Sequence, residues 1–142
     1  MFLHFLTEQE KHSFLQLARE FVEVDGLFSD AEKELMERFA SELGLSLEGV
    51  AWERLDEFSR KTHYTHFASE RSQHCALLEL VGLGYADGDY SANERVFVEE
   101  MAGAFGVSEE RLGELEGWVK RMLSLYDEAI GYWYQELSLI HI

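Results

Sequence analysis

The chain has no proline, a single cysteine, and only 12 basic residues against 28 acidic ones. Each shortage removes something. Without proline nothing forces a helix to break, so helix can follow helix through turns of other chemistry. The lone Cys75 excludes an internal disulfide and a thiolate zinc cluster, and it fits a reducing compartment. Between Gln73-His74 and Ala76-Leu77 it reads as a small buried residue, not a reactive thiol. The scarcity of cations leaves a formal charge of −16, which repels phosphate backbones and anionic headgroups. Nucleic acid is therefore excluded as a partner, and so is direct attachment to a membrane. No uncharged apolar run approaches a membrane span, and Met1–Leu6 is too short and too poor in cations for a secretion signal. The expectation is a soluble cytoplasmic chain. With 46% hydrophobic residues in 142, it reads as one domain with a core of its own, not a disordered acidic tail.

What the chain does have is an internal duplication. The stretch Leu15–Gly26 matches Leu77–Gly88, 62 positions on, and the match continues without a gap. Ser29 meets Ser91, Glu32 meets Glu94, Glu37 meets Glu99, Gly44 meets Gly106 and Ser46 meets Ser108. Apolar residues at Leu35, Met36, Phe39, Ala40 and Leu43 recur as Phe97, Val98, Met101, Ala102 and Phe105, one helical face in both copies. No stretch alternates apolar and polar residues for long, so strands are not expected.

The punctuation predicts three helices per copy. Thr7 with Glu10 forms a capping box, and Phe14, Leu17, Ala18, Phe21 and Val22 supply a buried stripe that ends at Asp25-Gly26. Ser29 with Glu32 opens a second helix running to Gly44, and Ser46 opens a third carrying Leu47, Val50, Ala51, Leu55 and Phe58. In the second copy Asp87-Gly88, Ser91 with Glu94, Gly106 and Ser108 play the same parts, and the last helix continues through Leu112, Leu115, Trp118, Val119, Met122 and Tyr126. The reading is an all-α, single domain over 1–142. It comprises repeat one over about 7–58, a polar connector over about 59–72 with room for a short helix, and repeat two over about 73–136. The two three-helix units are expected to pack about a pseudo-two-fold axis, with a long C-terminal helix. Gly82 and Gly84 lie inside a helix, each costing about 1 kcal/mol against alanine, and close helix crossing would compensate.

The duplicated string D-G-x-[aromatic]-S-x-x-E, at Asp25–Glu32 and Asp87–Glu94, is the feature that invites chemistry. A helix–turn–helix connection accounts for its Gly, Ser and Glu. It accounts poorly for Asp, a carboxylate set twice at the negative end of a helix dipole. Either Asp reaches forward to the next helix or a cation sits there. An ordinary EF-hand is excluded, because its first ligand position would be Phe21 or Leu83. His63, His66 and Glu70 have the spacing to chelate a metal on one helical face, although histidines in a polar connector need no such role. No E-x-x-H, H-E-x-x-H, G-x-S-x-G or Walker loop occurs, and Gly82-Leu83-Gly84 is not followed by a glycine at dinucleotide spacing. No nucleophile–base pair stands out. The C-terminal Gly131-Tyr132-Trp133-Tyr134 and the apolar residues after it either dock on the core or face a partner.

At its two D-G-x-[aromatic]-S-x-x-E strings, each between an apolar helix and a helix ending in leucine or phenylalanine, glycine and an aliphatic residue, the chain resembles the TerB-like family. These are small bacterial tellurite-resistance-type proteins, similar also to the N-terminal domain of the membrane-anchored co-chaperone DjlA. The resemblance spans about Thr7 to Trp133 and implies an all-α duplicated domain that is not an enzyme and serves in tellurite or general stress resistance. It implies a divalent cation at the acidic turns, no organic cofactor, and protein partners such as a membrane-protein or chaperone complex at the inner face of the inner membrane. The matching positions are Asp25, Glu32, Asp87 and Glu94; Asp89 joins them on charge alone, Leu27 holding its place in the first copy. Val24 stands where alanine is the commoner family residue and Ala86 keeps it, so the two copies need not be equivalent. The reading from another class is a metal-free interaction scaffold, homodimeric through the C-terminal aromatics.

Overall fold

The computed structural model describes residues 1–24, 30–85 and 90–140, the side chains of 31, 32 and 134–140 excepted. The described residues form six α-helices and two short 3-10 turns, with no strand among them. The helices are α1 (Glu8–Val22), α2 (Asp30–Glu42), α3 (Glu57–Thr65), α4 (Glu70–Gly84), α5 (Ala92–Ala104) and α6 (Glu109–Ile140); the turns cover Leu3–Phe5 and Leu47–Gly49. Four of the helix bounds recur at the spacing of the sequence repeat. Advanced by 62 positions, α1 becomes α4 and α2 becomes α5, residue for residue.

Local chemistry explains the coincidence. In α1 the Thr7 hydroxyl accepts from the Glu10 amide at 3.2 Å and the Glu10 carboxylate accepts from the Thr7 amide at 2.8 Å. The counterpart in α4 is Ser69 with Ser72, and α5 opens on Ser91 with Glu94. Both α2 and α5 end alike. Gly44 and Gly106 have φ of +75° and +73°, a region that costs a residue with a Cβ. The Leu45 amide reaches back to the Ala40 carbonyl at 2.7 Å and Val107 to Ala102 at 2.8 Å, the six-to-one bond that closes a helix through a left-handed glycine.

The predicted third helix of the first copy does not form. After Ser46, which makes no capping bond, the chain turns once through Leu47–Gly49 and then runs without helix to α3. A buried side chain on α1 explains this. The Gln16 amide donates to the Ala51 carbonyl and accepts from the Glu53 amide, both at 2.9 Å, taking up backbone groups that a helix would have used. Trp52, with the Arg19 guanidinium 4.9 Å over its ring, pins the same segment. The second copy has Leu78 in place of Gln16 and offers no such partner. There Ser108 does cap, accepting from the Arg111 amide at 3.1 Å, and α6 runs for 32 residues. The expected connector is largely helical, holding most of α3 and the start of α4. Phe58, expected in the core, stands 80% exposed on α3.

α1 and α4 form the centre. α1 packs on α2, α3 and α4; α4 packs on α1, α5, α6 and the turn Leu3–Phe5. Phe14, Leu17 and Phe21 from α1 meet Leu77, Leu80 and Leu83 from α4 in one core that takes in Met36, Met101, Leu112 and Val119. Phe14 stands edge-on to Phe39 and Phe21 edge-on to Phe97, so each copy contributes aromatics to the shared interior. Arg95 forks onto Glu116 through two 3.1 Å contacts and also pairs with Glu99, tying α5 to α6. Of the two helix glycines, only Gly84 sits at a close approach: a Cβ there would lie 2.6 Å from the Tyr90 ring and 3.2 Å from Phe21. One neighbour, Phe21, comes from α1 packed against α4, and the other, Tyr90, from the segment before α5, whereas Gly82 has open space instead. Among the described residues no helix is long and apolar enough to cross a membrane.

Candidate functional site

Of the acids singled out in the sequence, Asp25, Asp87 and Asp89 lie outside the described residues, and Glu32 belongs to α2 with its side chain outside them. Glu94 is described, and it is buried. Its carboxylate accepts from the Ser91 amide at 2.8 Å while its own amide donates to the Ser91 hydroxyl at 3.1 Å. It thereby does at α5 what Glu10 does at α1. Among the described residues no group of three or more His, Cys, Asp or Glu side chains is placed to hold a metal ion.

The chelating face that the spacing of His63, His66 and Glu70 allowed does not form, in line with the reading that these histidines need no such role. α3 ends at Thr65, and Glu70 opens α4, exposed. The two imidazoles turn instead onto Ser13 of α1, whose hydroxyl lies 2.8 Å from His63 Nδ1 and 2.6 Å from His66 Nδ1. His63 Nε2 lies 3.0 Å from the Glu53 carboxylate, which also reaches His12 Nε2 at 3.4 Å. A carboxylate only accepts when ionised, so neutral His63 carries its proton on Nε2 and its Nδ1 accepts from Ser13. The Ser13 oxygen then accepts from His66 Nδ1. Burial, with the nearby His63 and His12, holds His66 below the usual histidine range. The bonds from His63 and then from His12 hold the Glu53 carboxyl below its usual range.

Serine, histidine and glutamate in a row suggest a hydrolase, but the arrangement cannot act as one. Ser13 is fully buried, so no substrate carbonyl can reach it. Its hydroxyl is shared by two imidazoles, and the constellation fastens α3 to α1. It is one stretch of a buried polar stripe along α1. Glu10 accepts from the Ala68 amide at 3.0 Å, Ser13 holds the histidines, Gln16 holds 51 and 53, and Glu20 pairs with Arg60 at 3.2 Å. Arg60 also reaches Glu100 of α5 at 3.3 Å, where the Tyr64 hydroxyl donates at 3.0 Å. The stripe was legible as polar residues at three- and four-residue intervals inside an apolar helix. The partners, up to 58 positions away, were not.

Cys75, the counterpart of Ser13, is buried as expected, and burial pushes its thiol up, away from reactivity.

The face that remains open lies between α2, α4 and α6. Leu35 and Phe39, Leu78 and Gly82, and Met122 and Tyr126 line a groove of about 710 Å³. Beyond it α6 carries an apolar stripe past the core: Leu125, Tyr126, Tyr132 and Trp133 are each more than 60% exposed. A lone exposed leucine needs no explanation, but a groove that runs into a helix bearing four exposed large apolar side chains is a larger apolar patch than scattered surface residues make. Acids surround it. Glu42 and Glu79 hold the Met1 ammonium at 3.2 and 3.0 Å, and Glu34 and Asp127 stand on the rim with Arg38. Sequence reading identified the C-terminal aromatics but not the groove, which needs residues from three helices far apart in the chain. No family model matches the chain, and no curated protein or solved structure gives a significant match.

Proposed function

We propose that the chain is a non-enzymatic TerB-like module of the stress-response, tellurite-resistance type, acting by docking a protein partner such as a membrane-protein or chaperone complex at the inner face of the inner membrane. The observation that carries the docking is the apolar groove of α2, α4 and α6 and its continuation along exposed α6. The closed state of the Ser13, His63 and Glu53 row supports the absence of catalysis. The stress role rests on the two acidic strings and their constant spacing. A photo-crosslinking residue at Tyr126, in the groove, and another at Phe58, on the far helix α3, test the docking in cells. A discrete adduct is expected from 126 and not from 58; identical adducts from both, or none from 126, overturn the reading.

The same resemblance brings a divalent cation to Asp25, Glu32, Asp87 and Glu94, with Asp89 added on charge alone. Calorimetric titration with calcium, magnesium, zinc and manganese is expected to give weak binding that Asp25→Asn with Asp87→Asn abolishes. No heat and no melting-temperature shift at millimolar metal would remove the cation and leave the metal-free scaffold.

A further inference from the structure

We infer that the groove of α2, α4 and α6 seats a cationic amphipathic helix of a partner protein, an inference that rests on the docking reading above. Three observations lead there.

The first is internal to the fold. α1 and α4 correspond, as do α5 and α2. Across α1 and α5 lies α3, a nine-residue helix that puts Arg60 between Glu20 and Glu100. Across the corresponding pair, α4 and α2, the element that lies there among the described residues is the turn Leu3–Phe5, and the groove opens beside it. The positions that match Gln16 and Glu20, which hold chain segments in the first copy, are Leu78 and Gly82 in the groove wall. Where this molecule covers such a face for itself, it uses a short helix that carries a cation.

The second is charge. Glu42 and Glu79 already bind one cation, the Met1 ammonium, at the groove edge. Glu34, paired with Arg38 at 3.2 Å, and Asp127 stand on the rim, and α6 has no lysine or arginine after Arg121, so acids outnumber cations around the groove. Basic side chains on the polar face of an incoming helix meet these acids, while its apolar face meets Leu35, Phe39, Leu78, Met122 and Tyr126.

The third is the cost of the obvious rival. A second copy carries another −16 over its whole surface, and like net charges on this scale oppose association.

The test uses the full chain and three 18-residue peptides: a leucine–lysine amphipathic helix, its leucine–glutamate counterpart, and the leucine–lysine composition in scrambled order. Calorimetry is expected to show the ordered cationic peptide binding, weakening as salt is raised from 50 to 300 mM, with the other two at least tenfold weaker. Gly82→Leu fills the groove at a position with open space around it and favours the helix, so it folds; it is expected to weaken binding at least tenfold. Glu34→Lys with Asp127→Lys, both exposed, is expected to weaken the cationic peptide alone. An unchanged Kd in Gly82→Leu, or equal binding of the scrambled peptide, overturns the inference. Preference for the glutamate peptide overturns the charge while the docking reading stands. If no ordered peptide binds and the Tyr126 crosslink fails as well, both fall. Sedimentation showing a dimer that Gly82→Leu dissolves would assign the groove to a second copy and also overturn it.

Discussion

Gly82 and Gly84 look alike in the sequence, two glycines within one turn of α4, and the structure separates them sharply. Each is expected to gain about 1 kcal/mol of helix stability on replacement by alanine, because glycine has more backbone freedom to lose. At Gly82 nothing lies within 4 Å of the new methyl, so the gain is expected in full. At Gly84 the methyl would fall 2.6 Å from the Tyr90 ring and 3.2 Å from Phe21. Phe21 is fully buried against Phe97 and cannot withdraw. Tyr90, packed on Tyr85 at 4.9 Å between ring centres, has to shift. Overpacking of this kind costs about 1–3 kcal/mol, which cancels the gain or exceeds it by up to about 2 kcal/mol.

For a chain of 142 residues the unfolding entropy is about 0.3 kcal/mol/K, so 1 kcal/mol moves the melting temperature by about 3 °C. Thermal unfolding followed by circular dichroism is therefore expected to raise the midpoint by about 3 °C in Gly82→Ala. In Gly84→Ala it should leave the midpoint unchanged or lower it by up to about 6 °C. The Tyr90→Ala background supplies the control, since removing the ring should relieve most of the Gly84→Ala penalty and leave only the 3.2 Å approach to Phe21, so that Gly84→Ala remains less favourable than Gly82→Ala. Equal midpoints for the two single variants, or an undiminished Gly84→Ala penalty without Tyr90, would refute the reasoning.

Gln16→Leu installs the residue of the second copy and strands the Ala51 carbonyl and the Glu53 amide; a loss of about 1–2 kcal/mol in urea unfolding is expected, with faster proteolysis between 50 and 56. Ser91→Ala removes the cap of α5 and is expected to cost about 1 kcal/mol, whereas Ser46→Ala, at a serine that caps nothing, should stay within about 0.5 kcal/mol. His66 is held below its ordinary value, so from about pH 6.5 downward the unfolded chain takes up a proton that the folded chain resists, and stability falls on acidification. Lower down, Glu53 and buried Glu10, held below the carboxylate range, lose their contributions as pH falls through their folded values; His66→Asn, which keeps a donor near the Ser13 oxygen, should flatten the melting temperature between pH 5 and 6.5 and leave the acid limb in place.

Several helix bounds were legible where the determinant was local, although the equally local caps at Asp56 and Ser69 were not read. A hydroxyl and its partner three residues on, or a glycine after an apolar pair, acts within one turn, so Thr7, Ser91, Gly44 and Gly106 announced their roles without tertiary help. The failed helix after Ser46 shows where that ends. Its apolar spacing was adequate, but Gln16, some 35 positions upstream, offers its backbone a better-satisfied alternative. His63 and His66 failed for the same reason: the spacing suited a shared ligand, and the ligand turned out to be the Ser13 hydroxyl. Of the five candidate acids in the two strings only Glu94 has a described side chain, and there it takes part in the cap of α5. The groove could not be read at all, since its walls meet only when α2, α4 and α6 fold together.

The difference between the copies explains why one face is closed and the other open. Read down α1, the residues that hold the non-repeated segment are Glu10, Ser13, Gln16 and Glu20; 62 positions later stand Ser72, Cys75, Leu78 and Gly82. Every long polar side chain has become short or apolar. Buried polar groups are stable only when each finds its partner, so the first set requires a covering chain that supplies amides, imidazoles and a guanidinium, and residues 51–68 supply them. The second set makes no such demand. Ser72 and Cys75 are buried, while Leu78 and Gly82 stay partly open in the groove. A polar face of this kind fixes one intramolecular partner through specific bonds. In the docking proposed above, an apolar face with acids at its rim takes its partner on shape and charge and releases it without stranding a buried donor. On that proposal the two related helices divide the work: α1 secures the fold, and α4 leaves the surface for reversible binding.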